Sequence, residues 1–520
     1  MNEQTTMPVN GVSFKDFLFK TKRNRTILCI AATAIIIQFA IFKYLYPSAS
    51  FIHGDSFSYL DAAYHNLSIN TYLIGYSNFL RLVSVFTRSD LILTAFQYLL
   101  IQSSVLFLLF TLFYFYKPDR IVQTVLLCFM VFNPLFLHLA NLVSSDGYFL
   151  SLSMIWIALL LWIIHKPSRQ IIIWHAVVLF IAFTTRYNAM IYPVIALIAF
   201  WLSKISIRQK IAGITAGLIL CGLFVGFTSY KYKKLTGYWQ YSPFSGWQWA
   251  NNAMYTYRFV DSANRKPVPK KFQSLDNMIR QYFDSTRDIK KYPTEGMLAS
   301  TFYMWSYGMP LMKYRDSLFK KDTAAVELKK WASMGPLYKE YGIHIIKQYP
   351  IQFARFFLWP NANKYYAPPV EFLESYNSGK DSVTLVAEAW FGYKTGKLNL
   401  RMKDKKTWVL DFYPILSGVI NIVMLCCLLC YLLLKGWQYN NRFSKGILVG
   451  ATVWSLNAGF TIFASSAALR FQSFPIMLTA IIAALLIDWM AQLITSMKKE
   501  TSQLNEVEKV TESLATEVVA

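Results

Sequence analysis

Long apolar runs separated by short polar and basic stretches recur along this chain. A run of about 18 or more apolar residues is long enough for a helix to cross a hydrocarbon core of about 30 Å. On that criterion the pattern predicts about ten transmembrane helices. They fall near Ile27–Leu45, Leu91–Phe115, Ile121–Leu142, Tyr148–Ile164, Ile171–Phe183, Met190–Leu202, Ile211–Phe227, Phe412–Leu434, Ile447–Phe463 and Phe474–Met490. The fifth and sixth runs are short and reach full length only if tilted or extended through the turn at Thr184–Asn188. The first run has no small-residue cleavage site behind it and reads as a retained helix.

Basic residues give the runs a direction. With the N-terminus inside, Lys117/Arg120, Lys166/Arg169, Lys204/Arg208/Lys210, Lys435/Arg442/Lys445 and Lys498/Lys499 all fall in cytoplasmic turns, as the positive-inside rule requires. The expected organisation is a cytoplasmic N-terminal segment (1–26), a first transmembrane module (27–227), an extracytoplasmic domain (228–409), C-terminal transmembrane helices (410–492) and a cytoplasmic tail (493–520). Within the first module an outer loop spans 46–90 and holds TYLIGYSNFLRLVSVF, a surface-lying amphipathic helix by its pattern. The fold class expected is therefore a polytopic α-helical membrane protein whose extracytoplasmic domain is mixed or α-rich.

Composition narrows the classes. Of 520 residues 55% are hydrophobic and only 15% charged, well short of the roughly 25% of soluble domains. Disorder, a coiled coil and a small disulfide scaffold are excluded. The net charge of +24 would suggest a nucleic-acid partner in a soluble chain. Here the cations serve orientation, and no nucleic-acid partner is expected. All six cysteines (Cys29, Cys128, Cys221, Cys426, Cys427 and Cys430) lie in apolar runs, which argues against a disulfide framework. The sequence contains no P-loop, no GxGxxG and no Cys/His metal cluster. His53 and His344 are isolated and read as structural.

Candidate chemistry gathers on the outer side. Asp55, in FIHGDSFSYLDAAYHNL, and Asp146, in NLVSSDGYFLSLSMIW, both follow or precede a span at that boundary. An acid there can accept a proton from a hydroxyl, but either one, or the serines beside them, could equally cap a helix. Two arginines break the rule that short outer turns lack cations: Arg186 in TTRYNAMIYP and Arg470 in SSAALRFQSFPIM. An arginine at the hydrocarbon edge must be paired or snorkelled. It is also the residue best suited to a phosphate.

The acid in GDSFSY, the TRYNAMIYP turn and the late RFQSFP segment, in that order, resemble the GT-C integral-membrane glycosyltransferases. The branch most similar is that of protein O-mannosyltransferases and aminoarabinose transferases. The resemblance covers about residues 27–202 and the last two spans, and leaves out the outer domain. It implies a sugar donor carried on polyprenyl phosphate and inverting transfer on the outer face of the membrane. Asp55 would be the general base, Asp146 would orient the acceptor or support the site, and Arg470, with Arg186 as a looser match, would neutralise the donor phosphate. Many relatives carry a second acid directly after the first, where this chain has Ser56, so no metal or carboxylate-pair role is carried over. No cofactor is required; a divalent metal would be compatible, but nothing in the sequence calls for one.

The outer domain adds aromatic density in GYWQYSPFSGWQWANNAMYTYRF. Its rings could stack on sugars or simply gather at the membrane interface. YGIHIIKQYPIQFARFFLWPNANKYYAPP reads as an interfacial helix followed by a loop, from which Arg355 and Lys364 could close on the donor phosphate. The expected partners are thus a polyprenyl-phosphate sugar, a glycan, glycolipid or protein acceptor, and the bilayer of a bacterial inner membrane. Two rivals remain at this level: a transporter or flippase of a lipid-linked or anionic solute, and an assembly subunit without catalysis.

Overall fold

Eight helices are long and apolar enough to cross a membrane in the computed structural model, which describes residues 12–292, 295, 300–398, 401, 404–464 and 466–519. They are α1 (Lys22–Leu45), α2 (Asp90–Tyr116), α3 (Arg120–Asn141), α4 (Ser145–His165), α5 (Ile207–Thr236), α6 (Tyr413–Leu433), α7 (Asn441–Ala464) and α8 (Leu469–Val519). The fifth and sixth expected spans are shorter apolar helices, Arg169–Thr185 and Tyr187–Leu202, separated at Arg186. The protein is a helical membrane protein, and among the described residues it has no β-strand, so the mixed alternative for the segment after α5 falls away.

Helix α4 is the hub. It is apolar on every face, as a helix surrounded by other helices must be, and all its residues but Tyr148, Ile155 and His165 are buried. It packs against α2, Arg169–Thr185 and α8. Some of its interior polar groups are satisfied locally: Ser153 shares a 2.6 Å hydrogen bond with Tyr192, and the Trp162 indole donates to Thr111. Helix α3 is interrupted at Asn133, whose carboxamide accepts from Leu135 N and re-caps the chain ahead of Pro134. By contrast α1 and α6 leave Ile30, Ile36, Ile37 and Ile41, and Ile415, Val419, Ile422 and Leu433, exposed. In a membrane protein those faces belong to hydrocarbon.

Short helices between α5 and α6 form a second core around Trp247, Tyr303, Tyr338, Tyr341 and Phe357. Its main pair is Pro243–Tyr257 against Gly335–Gln348. The two backbones touch, because a Cβ on Gly246 would lie 2.0 Å from the Gly335 carbonyl oxygen and one on Gly342 would lie 2.4 Å from Trp249 backbone. Glycine is required there by proximity rather than by backbone angle. The segment expected as an interfacial helix followed by a loop is helical to Tyr366: it is broken at Pro350, which has no N–H to continue the ladder, and passes through a π turn (Ala354–Leu358) into Trp359–Tyr366.

Candidate functional site

Backbone stitching brings the two acid-bearing segments together. Ser50 N donates to Asn141 O at 2.8 Å and Val143 N donates to Ser50 O at 2.9 Å, so the loop before Asp55 pairs with the turn before Asp146. Ser56 secures the next step: its hydroxyl accepts from Ile52 N at 2.8 Å. Gly54 then turns the chain at a φ of 93° and Asp55 opens the helix Asp55–Tyr64. Asp146 is the second residue of α4, Arg470 the second residue of α8, and Arg186 follows the last residue of Arg169–Thr185. Four charged side chains thus meet at one end of the bundle.

Their contacts run in one chain from Asp55 through Arg470 and Asp146 to Arg186, a tetrad of alternating charge. Arg470 uses both terminal nitrogens: Nη2 donates to Asp55 Oδ2 at 2.7 Å and Nη1 to Asp146 Oδ2 at 3.1 Å. Arg186 Nη1 donates to the other Asp146 oxygen and, at 3.2 Å, to the Ser145 hydroxyl. Ser144 donates to Asp146 Oδ2 at 2.6 Å, and Tyr72 donates to Asp55 Oδ1 at 2.6 Å. The Arg470 guanidinium lies between the rings of Phe372 (4.7 Å) and Phe471 (4.2 Å), and Phe471 also meets Arg186. Neither aspartate serves as a helix cap among the described residues; the carboxylates are spent on arginines and hydroxyls. The paired alternative therefore holds for both arginines.

Access separates the four. The Asp146 side chain is fully buried and that of Arg470 is 3% exposed, whereas Asp55 is 20% and Arg186 16% exposed. Asp55, Arg186 and Arg470 line a cavity of about 1890 Å³, larger than the roughly 300–1,000 Å³ of an ordinary small-molecule site; Asp146 does not line it. Asp146 is thus the inner anchor of the arginines, and Asp55 is the carboxylate that a ligand can reach. Burial, reinforced by the charge of Asp55, holds the Tyr72 hydroxyl well above the usual phenol range, so it remains a donor to Asp55.

Two further groups at the cavity had no sequence signal. Glu371 lines it, and burial raises its carboxyl above the usual range against the opposing pull of Lys364 and Arg470. Next to it, Phe372 adopts a φ of 69°, rare for a large side chain, while its ring covers Arg470. This loop is tied to α8 by Leu469 N donating to Pro369 O at 2.8 Å. Arg355 and Lys364, expected to face a donor phosphate, do not line the cavity. Arg355 is exposed beside Phe356, and the helix carrying Lys364 is docked on α6 and α7 through Tyr366 and Tyr365. Burial lowers the Lys364 ammonium, whose charge acts on Glu371.

His53 lies on the cavity with its Nδ1 at 3.3 Å from Lys380 Nζ, and His344 packs against Phe272. Among the described residues no group of three or more His, Cys, Asp or Glu is placed to hold a metal ion, and all six cysteines are free. No protein-family model, curated protein or solved structure matches this chain.

Proposed function

We propose that the protein is a membrane glycosyltransferase of GT-C type. It would move a sugar from a polyprenyl-phosphate carrier to an acceptor hydroxyl on the extracytoplasmic face of a bacterial plasma membrane, with both termini in the cytoplasm. The observation that carries the reading is Asp55: a carboxylate at the wall of a large cavity, oriented by Tyr72 and held by an arginine that is itself anchored from behind by Asp146. Positioned acids of this kind act as general bases.

In the proposed step the acceptor oxygen forms a bond to the anomeric carbon while its proton passes to Asp55. The bond from that carbon to the phosphate oxygen breaks, and polyprenyl phosphate leaves with the electron pair, so configuration inverts. The tetrad is neutral at rest, with two carboxylates and two guanidiniums. As Asp55 gains a proton it loses its charge, and the positive charge of Arg470 becomes available to the leaving phosphate. Arg186, the more exposed of the two arginines, supports the same phosphate. Asp146 is a positioning residue. No cofactor enters this sequence of events.

A transporter would be expected to place its charged groups at mid-membrane. The tetrad instead sits at helix ends, which favours the enzyme. The test is transfer of radiolabelled sugar from a panel of polyprenyl-phosphate sugars by purified protein with a crude envelope acceptor fraction. Asp55→Asn should lose on the order of 100-fold or more in rate while remaining folded. A folded Asp55→Asn protein with normal transfer would sink the proposal.

A further inference from the structure

Beyond Tyr72 the cavity continues along a row of aromatic rings. Tyr72, which donates to Asp55, lies 6.0 Å from Trp305 and 6.2 Å from Phe244, centroid to centroid. Trp305 lies 6.2 Å from Trp331 with the two planes within 6° of parallel, and Phe244 closes the group at 6.0 and 6.3 Å from the two indoles. All four rings line the cavity. Phe244, Trp305 and Trp331 belong to the helices Pro243–Tyr257, Phe302–Trp305 and Glu327–Ser333, outside the spanning helices.

Polar groups accompany the rings. Gln240, Ser242, Ser245, Gln248, Asn252 and Thr301 line the same stretch. Several lining side chains carry buried polar atoms that have no hydrogen-bond partner among the described residues; along this row they include the Trp331 indole N–H, a donor, and Gln248 Oε1, an acceptor. Both residues are 5% exposed. Buried polar atoms are normally satisfied, so a donor and an acceptor without partners on residues that line the cavity point to a ligand with hydroxyls. Charged groups nearby are mostly spent on each other, with Arg315 at 3.3 Å from Glu327 and Glu340 at 2.5 Å from Lys271.

We infer that this aromatic arm is a saccharide subsite that holds the acceptor, and hence that the acceptor is a glycan rather than a peptide or a simple lipid. The inference rests on the proposed glycosyltransferase reading for the word acceptor, though not for the binding itself. A pyranose ring presents flat C–H faces to aromatic rings and hydroxyls around its edge to amides and an indole N–H. A hydrocarbon chain would cover the rings but leave Trp331 Nε1 and Gln248 Oε1 unsatisfied. Gly459, Phe460, Phe463 and Ala464, at the end of α7, also line the cavity.

The test is saturation-transfer NMR and calorimetry on the full-length protein in detergent, titrated with tetrasaccharides of mannose, glucose, galactose and N-acetylglucosamine. At least one should bind saturably, with its ring C–H protons receiving the strongest transfer. Trp305→Leu, which keeps apolar bulk but removes the flat face, should weaken that binding at least tenfold, and Gln248→Ala should weaken it severalfold. Absence of saturable binding by all four, or affinity unchanged in Trp305→Leu, would overturn the subsite. Because binding needs no turnover, the two proposals fail separately. Asp55-dependent donor hydrolysis without saccharide binding removes only the subsite, and saccharide binding with transfer unaffected by Asp55→Asn removes only the catalytic reading.

Discussion

One guanidinium joins the two acids: Arg470 reaches Asp55 at 2.7 Å and Asp146 at 3.1 Å through separate nitrogens. These residues lie 415 and 324 positions away along the chain, so the last span closes a site begun at the first. Only a forked cation can serve two carboxylates in fixed directions. Arg470→Lys keeps the charge but loses the rigid fork that fixes both directions at once. The variant is expected to fold, to lose at least tenfold in transfer rate, and to show a raised donor KM. Equal transfer kinetics for the two proteins would argue against a directional role for the fork.

Asp146 carries the greater structural burden. Its side chain is fully buried between Arg186, Arg470 and Ser144. Asp146→Ala leaves Arg470 with Asp55 alone and takes from Arg186 its carboxylate partner, and removing one partner of a buried pair costs about 3–5 kcal/mol. The expected outcome is a clear fall in the thermal midpoint in detergent, larger than that of Asp55→Ala, because the Asp55 side chain is 20% exposed. A reversed order of the two midpoints would contradict the assignment of Asp146 as anchor.

Much of this arrangement was legible in the sequence, for identifiable reasons. Spans announce themselves because a bilayer demands about 20 apolar residues. The four tetrad residues stood out because charge at a hydrocarbon edge needs a reason. Their pairing was open, since nothing in DSFSY or LRFQSF says which carboxylate an arginine will meet. Tyr72, Glu371 and Phe372 were invisible: Tyr72 sits in a segment whose apolar pattern explains it without any site, and the other two act through a loop that is folded onto α8 by one backbone hydrogen bond. Arg355 and Lys364 misled because nearness in sequence to an interfacial helix does not determine which way that helix docks.

Glu371 gives a pH signature that can be read without substrate. Burial raises its carboxyl above the ordinary glutamate value, so the folded protein holds that proton more tightly than the unfolded chain does. Its contribution to stability is therefore fully present below the ordinary glutamate value and is lost as pH rises through the raised one. Glu371→Gln, neutral at every pH, should be more thermostable than wild type near pH 7. The difference should vanish in acid below the ordinary glutamate range. A midpoint difference that does not change with pH would show that the carboxyl is not titrating in this way.

Gly54 tests whether the position of Asp55 matters as much as its presence. A Cβ at Gly54 would meet nothing within 4 Å, so the only objection to alanine is the φ of 93°. Holding a side chain in so sparsely populated a backbone region costs about 1–3 kcal/mol, and the chain can avoid the cost by shifting the first turn of Asp55–Tyr64. That shift would move Asp55 relative to Arg470, and catalytic geometry tolerates little: a displacement near 1 Å can cost about 100-fold. Gly54→Ala should therefore lose far more activity than stability. Gly222→Ala supplies the contrast, since Gly222 lies inside α5 with open space around its Cβ and ordinary backbone angles. Alanine there should leave activity unchanged and stabilise the helix by up to about 1 kcal/mol. If Gly54→Ala retains full transfer while its midpoint falls, Asp55 is not held to the geometry that proton transfer requires.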